Sequence, residues 1–177
     1  MSKKHIRLER EFAGKSLVLE TGKLATMASG AVTLTYGDTV LLATSTIGEA
    51  KEDTDFFPLS VDFQERFYAS GKIKGSRFIK REGRPSDGAT LTSRLIDRPM
   101  RPMFPKGMRN AVQIIITMFS TDATYNAGPL SMNAVSASLM ISGMPFEGPV
   151  AGVRIGRMDG NFIVNPTYEQ IEKGDLE

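Results

Sequence analysis

Residues 31–45 read AVTLTYGDTVLLATS, and this stretch decides the fold class. Two β-prone runs, 31–36 and 39–45, flank Gly37-Asp38, and the break Tyr36-Gly37-Asp38-Thr39 is a hairpin signal. Upstream, residues 15–20 (KSLVLE) alternate as a strand does and stop at Gly22. Downstream, Leu59, Val61 and Phe63 alternate with Ser60 and Asp62, which predicts a strand with one buried face. The run 112–119 (VQIIITMF) is apolar enough to predict a central strand buried on both faces.

Helices are expected between and after these strands. Ser86 or Asp87 can cap a helix through ATLTSRLIDR, and Pro99 is expected to stop it, because the residue before proline resists helical geometry. Residues 131–142 (SMNAVSASLMIS) form a second helix, rich in small residues and ending at Gly143, that can sit close against a sheet. After Pro145, VAGVRIG and NFIVN read as two strands joined through Met158-Asp159-Gly160. In Asn165-Pro166-Thr167, Asn165 is placed to cap a last helix and Pro166 suits its first position. Gln170 stands at capping-box spacing from Thr167. The order predicts an α+β fold with helices packed on a mainly antiparallel or mixed sheet. The last helix has barely begun at Glu177, so the chain reads as truncated.

Composition narrows the function. The 177 residues, 41% hydrophobic, suffice for one core, and the absence of cysteine excludes thiolate chemistry. The N-terminal MSKKHIRLEREF lacks the apolar stretch of a signal peptide, and no 18 apolar residues run together, so a soluble protein is expected. His5 is the only histidine, which speaks against a Ser-His-Asp triad or a His-based zinc site. Net charge is only +2, yet residues 64–109 carry twelve Lys/Arg against four Asp/Glu, a local +8, while the rest carries ten against sixteen, or −6. A basic segment on an acidic body points to a polyanion, and its alternation with Phe63, Phe67, Tyr68 and Phe78 suits single-stranded nucleic acid, whose bases stack on rings.

Two places carry candidate contacts. The first is a predicted exposed loop, 69–87, with Arg77, Phe78, Lys80, Arg81 and Arg84: paired cations beside a ring can hold a phosphate backbone while a base stacks. The second is the helix, where Arg94 and Arg98 share a face and Arg101, seven residues from Arg94, extends the stripe if the helix survives Pro99. Set against this, Asp97 or other acids can pair with these arginines to fix a corner of the fold.

Residues 56–76 (FFPLSVDFQERFYASGKIKGS) and 80–107 (KREGRPSDGATLTSRLIDRPMRPMFPKG) closely resemble the first RNase PH-like core domain of bacterial polynucleotide phosphorylases. YGDTVLLAT and SASLMISGMPFEGPVAGVRIG are similar to the same pattern, so the resemblance is collinear over nearly the whole chain. It implies an RNase PH-like domain over residues 1–177, incomplete at its C-terminal end, from an enzyme that degrades RNA 3'-to-5' by attack of inorganic phosphate. It further implies magnesium bound outside this segment, a homotrimer, a cytoplasmic setting, and an RNA helicase and endoribonuclease as partners. The family's channel loop, two aromatics followed by two basic residues, becomes here Phe78, Ile79, Lys80 and Arg81, preceded by Arg77, and Ile79 offers no ring. Arg94, Arg98 and Arg101 match arginines that the resemblance places along the RNA route. The helix start that holds phosphate in the family's second core corresponds here to Asn126-Ala127-Gly128, which lacks serine. Asp175 alone matches a metal aspartate, and one carboxylate makes a poor magnesium site. No catalytic residue is therefore expected in this segment, which reads as scaffold and RNA guide. A stand-alone RNA-binding module, or an exosome-like or ribonuclease-PH-like subunit, remain the alternatives.

Overall fold

The computed structural model describes residues 4–50, 55–73 and 83–176. Six strands form one mixed sheet in the order β1-β2-β3-β4-β6-β5: β1 (Ile6–Phe12), β2 (Lys15–Thr21), β3 (Gly30–Tyr36), β4 (Thr39–Ala50), β5 (Leu59–Gln64) and β6 (Asn110–Ser120). Every pairing is antiparallel except β5 with β6, whose parallel register is fixed by the crossover through α1 (Asp87–Met100). The hairpin predicted at 31–45 is β3–β4, with Tyr36 opposite Thr39 and Gly37 at φ 58°. A second helix, α2 (Ala127–Met140), lies against β3 and β4. The chain then turns into a separate hairpin, β7 (Ile155–Met158) and β8 (Asn161–Val164), and a short helix, α3 (Tyr168–Lys173). This is the α+β arrangement expected, with helices packed on a mixed sheet.

Both long helices cover the same face of the sheet. Leu34, Leu41, Ile114 and Ile116 from the strands meet Ile96 of α1 and Leu130 of α2, all fully buried. Burying such side chains is worth roughly 1.5–3 kcal/mol each before chain entropy is charged against it. One close approach sets the spacing of α2. A Cβ built on Gly30 would collide with the carbonyl oxygen of Ser138 and lie 2.7 Å from Ser45 Oγ, so only glycine fits. The fully buried Ser45 hydroxyl is satisfied there, donating to the Ser138 carbonyl at 3.3 Å.

Several expectations need correction. β1 was not expected at all: its residues are exposed or, at Phe12, half-buried, so the apolar alternation that marks a strand is missing. β6 is interior to the sheet, but only its Val112–Ile116–Met118 face is buried; Gln113 on the other side is exposed, because helices cover one face alone. Pro99 does not stop α1, which runs on to Met100 and passes into a 3-10 turn at Arg101–Met103. A proline in the last turn forfeits one i→i−4 bond at most, and the Arg101 N–H still reaches the Asp97 carbonyl. α2 begins at Ala127, earlier than the apolar pattern suggested. β7 is shorter than VAGVRIG, because residues 150–154 run along α2 instead, where Asn133 donates to the Gly152 carbonyl at 3.0 Å and accepts from its N–H at 2.7 Å. Thr167, not Asn165, caps α3: its hydroxyl accepts from Gln170 N–H while Gln170 Oε1 accepts from Thr167 N–H, closing the expected capping box. The predicted exposed loop 69–87 starts differently too, with a 3-10 turn at Phe67–Ser70 that buries Ala69.

Among the described residues no helix is long and apolar enough to cross a membrane.

Candidate nucleic-acid interface

The parallel edge of the sheet and the starts of three helices meet at one place. Ser86 caps α1, its hydroxyl oxygen accepting from Ala89 N–H at 3.0 Å, and the same hydroxyl donates to the Glu65 carboxylate just past β5 at 2.6 Å. Ser93 fixes α1 to β5 from the other side: its Oγ accepts from Phe63 N–H at 2.9 Å and donates to the Ala89 carbonyl at 3.0 Å. Asn126 caps α2 through Gly128 N–H at 2.8 Å. The start of α3 is pinned to the same strip of chain, since Tyr168 N–H donates to the Thr124 carbonyl and Tyr125 forms a β-bridge with Thr167.

Between these starts lies a cavity of about 780 Å³. Its charged lining is Arg66, Lys72 and Arg84 against Glu65 alone, and Phe67, Tyr125 and Tyr168 supply rings. Glu65 is engaged by Ser86, and Arg66 donates to the Gln64 side chain. The Lys72 and Arg84 side chains are exposed, with no hydrogen-bond or ion-pair partner among the described residues. Tyr125 packs edge-on against the buried Tyr36 at 5.1 Å between ring centroids, and the Lys15 ammonium stands 4.7 Å above its ring. The Tyr125 hydroxyl, hydrogen-bonded to Lys15, holds that ammonium above its usual titration range. Tyr125 is thus fixed by its neighbours, whereas Tyr168 is 43% exposed.

The sequence-derived contacts separate under this geometry. Arg84 lines the cavity. Arg94 lines a smaller hollow beside it, together with Asp62, Gln64 and Ser93. Arg98 is exposed one turn further along α1. Neither Arg94 nor Arg98 has a partner among the described residues. Arg101 differs. Its Nε and NH2 hold Asp97 at 3.0 and 2.6 Å, NH1 donates to the Phe57 carbonyl at 3.0 Å, and NH2 donates to the Leu59 carbonyl at 3.2 Å. The guanidinium also stacks over Phe57. Arg101 therefore ties the end of α1 to the start of β5, as the alternative reading through Asp97 foresaw, and its fork is committed within the fold. Arg77, Phe78, Lys80 and Arg81 lie outside the described residues.

Asp175 also has a partner: Arg157 Nε and NH2 donate to its two carboxylate oxygens at 2.9 and 2.8 Å. That hydrogen bonding keeps the Asp175 carboxyl below the ordinary aspartate range. No group of three or more His, Cys, Asp or Glu side chains that could hold a metal occurs among the described residues. His5, just before β1, stands 3.2 Å from Glu20 of β2 and does not line the cavity.

Sequence reasoning missed Tyr125 and Tyr168 as neighbours of the basic segment. They lie outside it in the chain and are brought together by the Tyr125–Thr167 bridge. Lys72 and Arg66 belonged to the basic segment, but nothing in their spacing set them apart from its other cations.

Residues 13–145 match the model of the 3' exoribonuclease family, domain 1. The chain belongs to this family. Residues 148–177 match the model of the family's domain 2. Among curated relatives, the polyribonucleotide nucleotidyltransferase of Geotalea uraniireducens strain Rf4 is 53% identical over 172 residues, 97% of this chain and 25% of that protein. The polyribonucleotide nucleotidyltransferase of Roseiflexus castenholzii is 52% identical over 179 residues, all of this chain and 24% of that protein. The chain thus spans about a quarter of the length of these relatives. Among solved structures, rice (Oryza sativa) Rrp46 superposes over the whole chain and 73% of its own, with a TM-score of 0.64 at 12% identity. A chain of the Archaeoglobus fulgidus exosome with RNA bound to the active site matches 98% of this chain and 70% of its own, with a TM-score of 0.58 at 18% identity. At those identities the likeness is one of fold, and it is the RNase PH-like fold of this exoribonuclease family.

Proposed function

We propose that this chain supplies the first of two RNase PH-like cores in a polyribonucleotide nucleotidyltransferase, an enzyme that degrades RNA 3'-to-5' by attack of inorganic phosphate and releases nucleoside diphosphates. The observation that carries the reading is the identity above 50% to such enzymes across nearly all of this chain. In this reading the segment guides RNA. Arg77, Phe78, Lys80 and Arg81 contact the strand from the loop, Arg84 from the cavity, and Arg94 and Arg98 from α1, while Arg101 holds α1 in position behind them. Exposed guanidinium groups with no side-chain partner among the described residues, as at Arg84, Arg94 and Arg98, suit a phosphate backbone, because they lose no internal bond on binding.

The residues described here do not fit a magnesium site, since Asp175 is held by Arg157 and no acidic cluster accompanies it. In this proposal magnesium and the phosphate-binding groups are supplied by the rest of the enzyme. A homotrimer, a cytoplasmic location and association with an RNA helicase and an endoribonuclease complete the proposal. The test is to incubate the intact enzyme with oligoadenylate, magnesium and inorganic phosphate and measure ADP. Phosphate-dependent ADP release is expected, and release of AMP without need of phosphate would replace phosphorolysis by hydrolysis.

A further inference from the structure

The cavity at the helix starts has more in it than an RNA guide needs. Its volume, about 780 Å³, lies in the range of small-molecule sites and well above what a single phosphate fills. The Lys72 and Arg84 side chains enter its lining with no partner among the described residues, Arg66, already bonded to Gln64, adds a third cation, and one acid, already bonded to Ser86, opposes them. Tyr168, which is 43% exposed, belongs to the same lining, as do Asn126 and Thr121. Unpaired cations and an available ring in one hollow are complementary to phosphates joined to a flat base.

We propose that this cavity is a nucleotide site, in which Lys72 and Arg84 hold the phosphates and Tyr168 packs against the base. The Lys15–Tyr125–Tyr36 stack fixes the wall behind it, and the bridge between Tyr125 and Thr167 keeps Tyr168 turned to the same hollow. This goes beyond RNA guiding, because a free nucleoside diphosphate satisfies every contact. The terminal nucleotide of an RNA strand has the same chemistry, and the experiment separates the two sources.

The intact protein is irradiated with 2-azido-ADP and the labelled peptides are identified. Label is expected on peptides containing Tyr125 or Tyr168 and should be displaced by excess ADP. Lys72→Ala and Arg84→Ala, both at exposed positions, should each raise the ADP concentration for half-displacement by about tenfold. Lys72→Arg and Arg84→Lys should restore most of it. If oligoadenylate displaces the label as well, the occupant is the strand's own terminal nucleotide; if ADP alone does, it is the free nucleotide. No label on these peptides, or label that neither ADP nor the two alanine variants diminish, overturns the site. RNA binding and phosphorolysis that persist in that event leave the proposed function standing.

Discussion

Arg157 grips Asp175 with both arms of its guanidinium, Nε at 2.9 Å and NH2 at 2.8 Å, and so joins β7 to the chain beyond α3. The bond lowers the carboxyl's titration, so its contribution to stability is present above the unfolded-state value and is lost as pH falls through the lower folded value. In a carboxyl-resolved NMR titration Asp175 should protonate at lower pH than a peptide aspartate, and Arg157→Ala should bring it back to the ordinary range. Because the pair is exposed, Asp175→Asn should leave magnesium-dependent activity of the intact enzyme unchanged. A large loss that added magnesium restores would make Asp175 a metal ligand after all.

The arginines on and around α1 should divide into two kinds under substitution. Arg84→Ala, Arg94→Ala and Arg98→Ala should each reduce the salt dependence of single-stranded RNA binding by about 0.7 in the log–log slope while leaving thermal stability alone. Lys80→Ala with Arg81→Ala should act in the same way. Arg101→Ala should behave in the opposite sense: it frees the Phe57 and Leu59 carbonyls and costs about 1 kcal/mol, a fall of roughly 2–4 °C in Tm, with the salt slope intact. Slopes measured by filter binding between low and moderate salt, beside melting curves, distinguish the two outcomes.

Gly30→Ala should destabilise the fold by about 1–3 kcal/mol, because its methyl would press on the Ser138 carbonyl and force α2 away from β3 and β4. Denaturant midpoints report this directly. A midpoint unchanged from the parent would mean that α2 shifts freely and that its seat on the sheet is less exacting than described.

The 177-residue chain by itself should release no ADP from oligoadenylate in phosphate and magnesium. Arginines can hold RNA, but the chemistry also needs a positioned phosphate and a metal, and the α2 start, Asn126-Ala127-Gly128, offers no serine cluster. Phosphate-dependent release by the chain, abolished by Arg98→Ala, would move the reaction into this core.

How much of this was legible in the sequence depended on how local each signal is. The β3–β4 hairpin, the Ser86 cap and the Thr167–Gln170 box are short-range patterns, and they stand where the residues said. β1 escaped because an edge strand exposed on both sides shows no alternation of apolar and polar residues. The end of α1 was misjudged because proline was read as a stop, whereas in a last turn it removes little. The arginine stripe was seen as a stripe, but only three dimensions reveal that Arg101 meets two carbonyls more than forty positions earlier in the chain. The cavity was invisible for the same reason: Lys72, Arg84, Tyr125 and Tyr168 are far apart along the chain and converge only when three helix starts are pinned to the sheet.

The pair of hydrogen bonds between Asn133 and Gly152 has a consequence at the other end of its helix. A side-chain amide that both donates to and accepts from one backbone unit acts as an indexing pin: rotating α2 by a single residue, about 100°, would withdraw it from both bonds. Asn126 stands seven residues earlier, within about 20° of the same azimuth on an ideal helix. The bearing of the helix mouth toward the cavity is therefore set by a latch two turns away, and loosening that latch would re-aim the opening without touching a single residue that lines it.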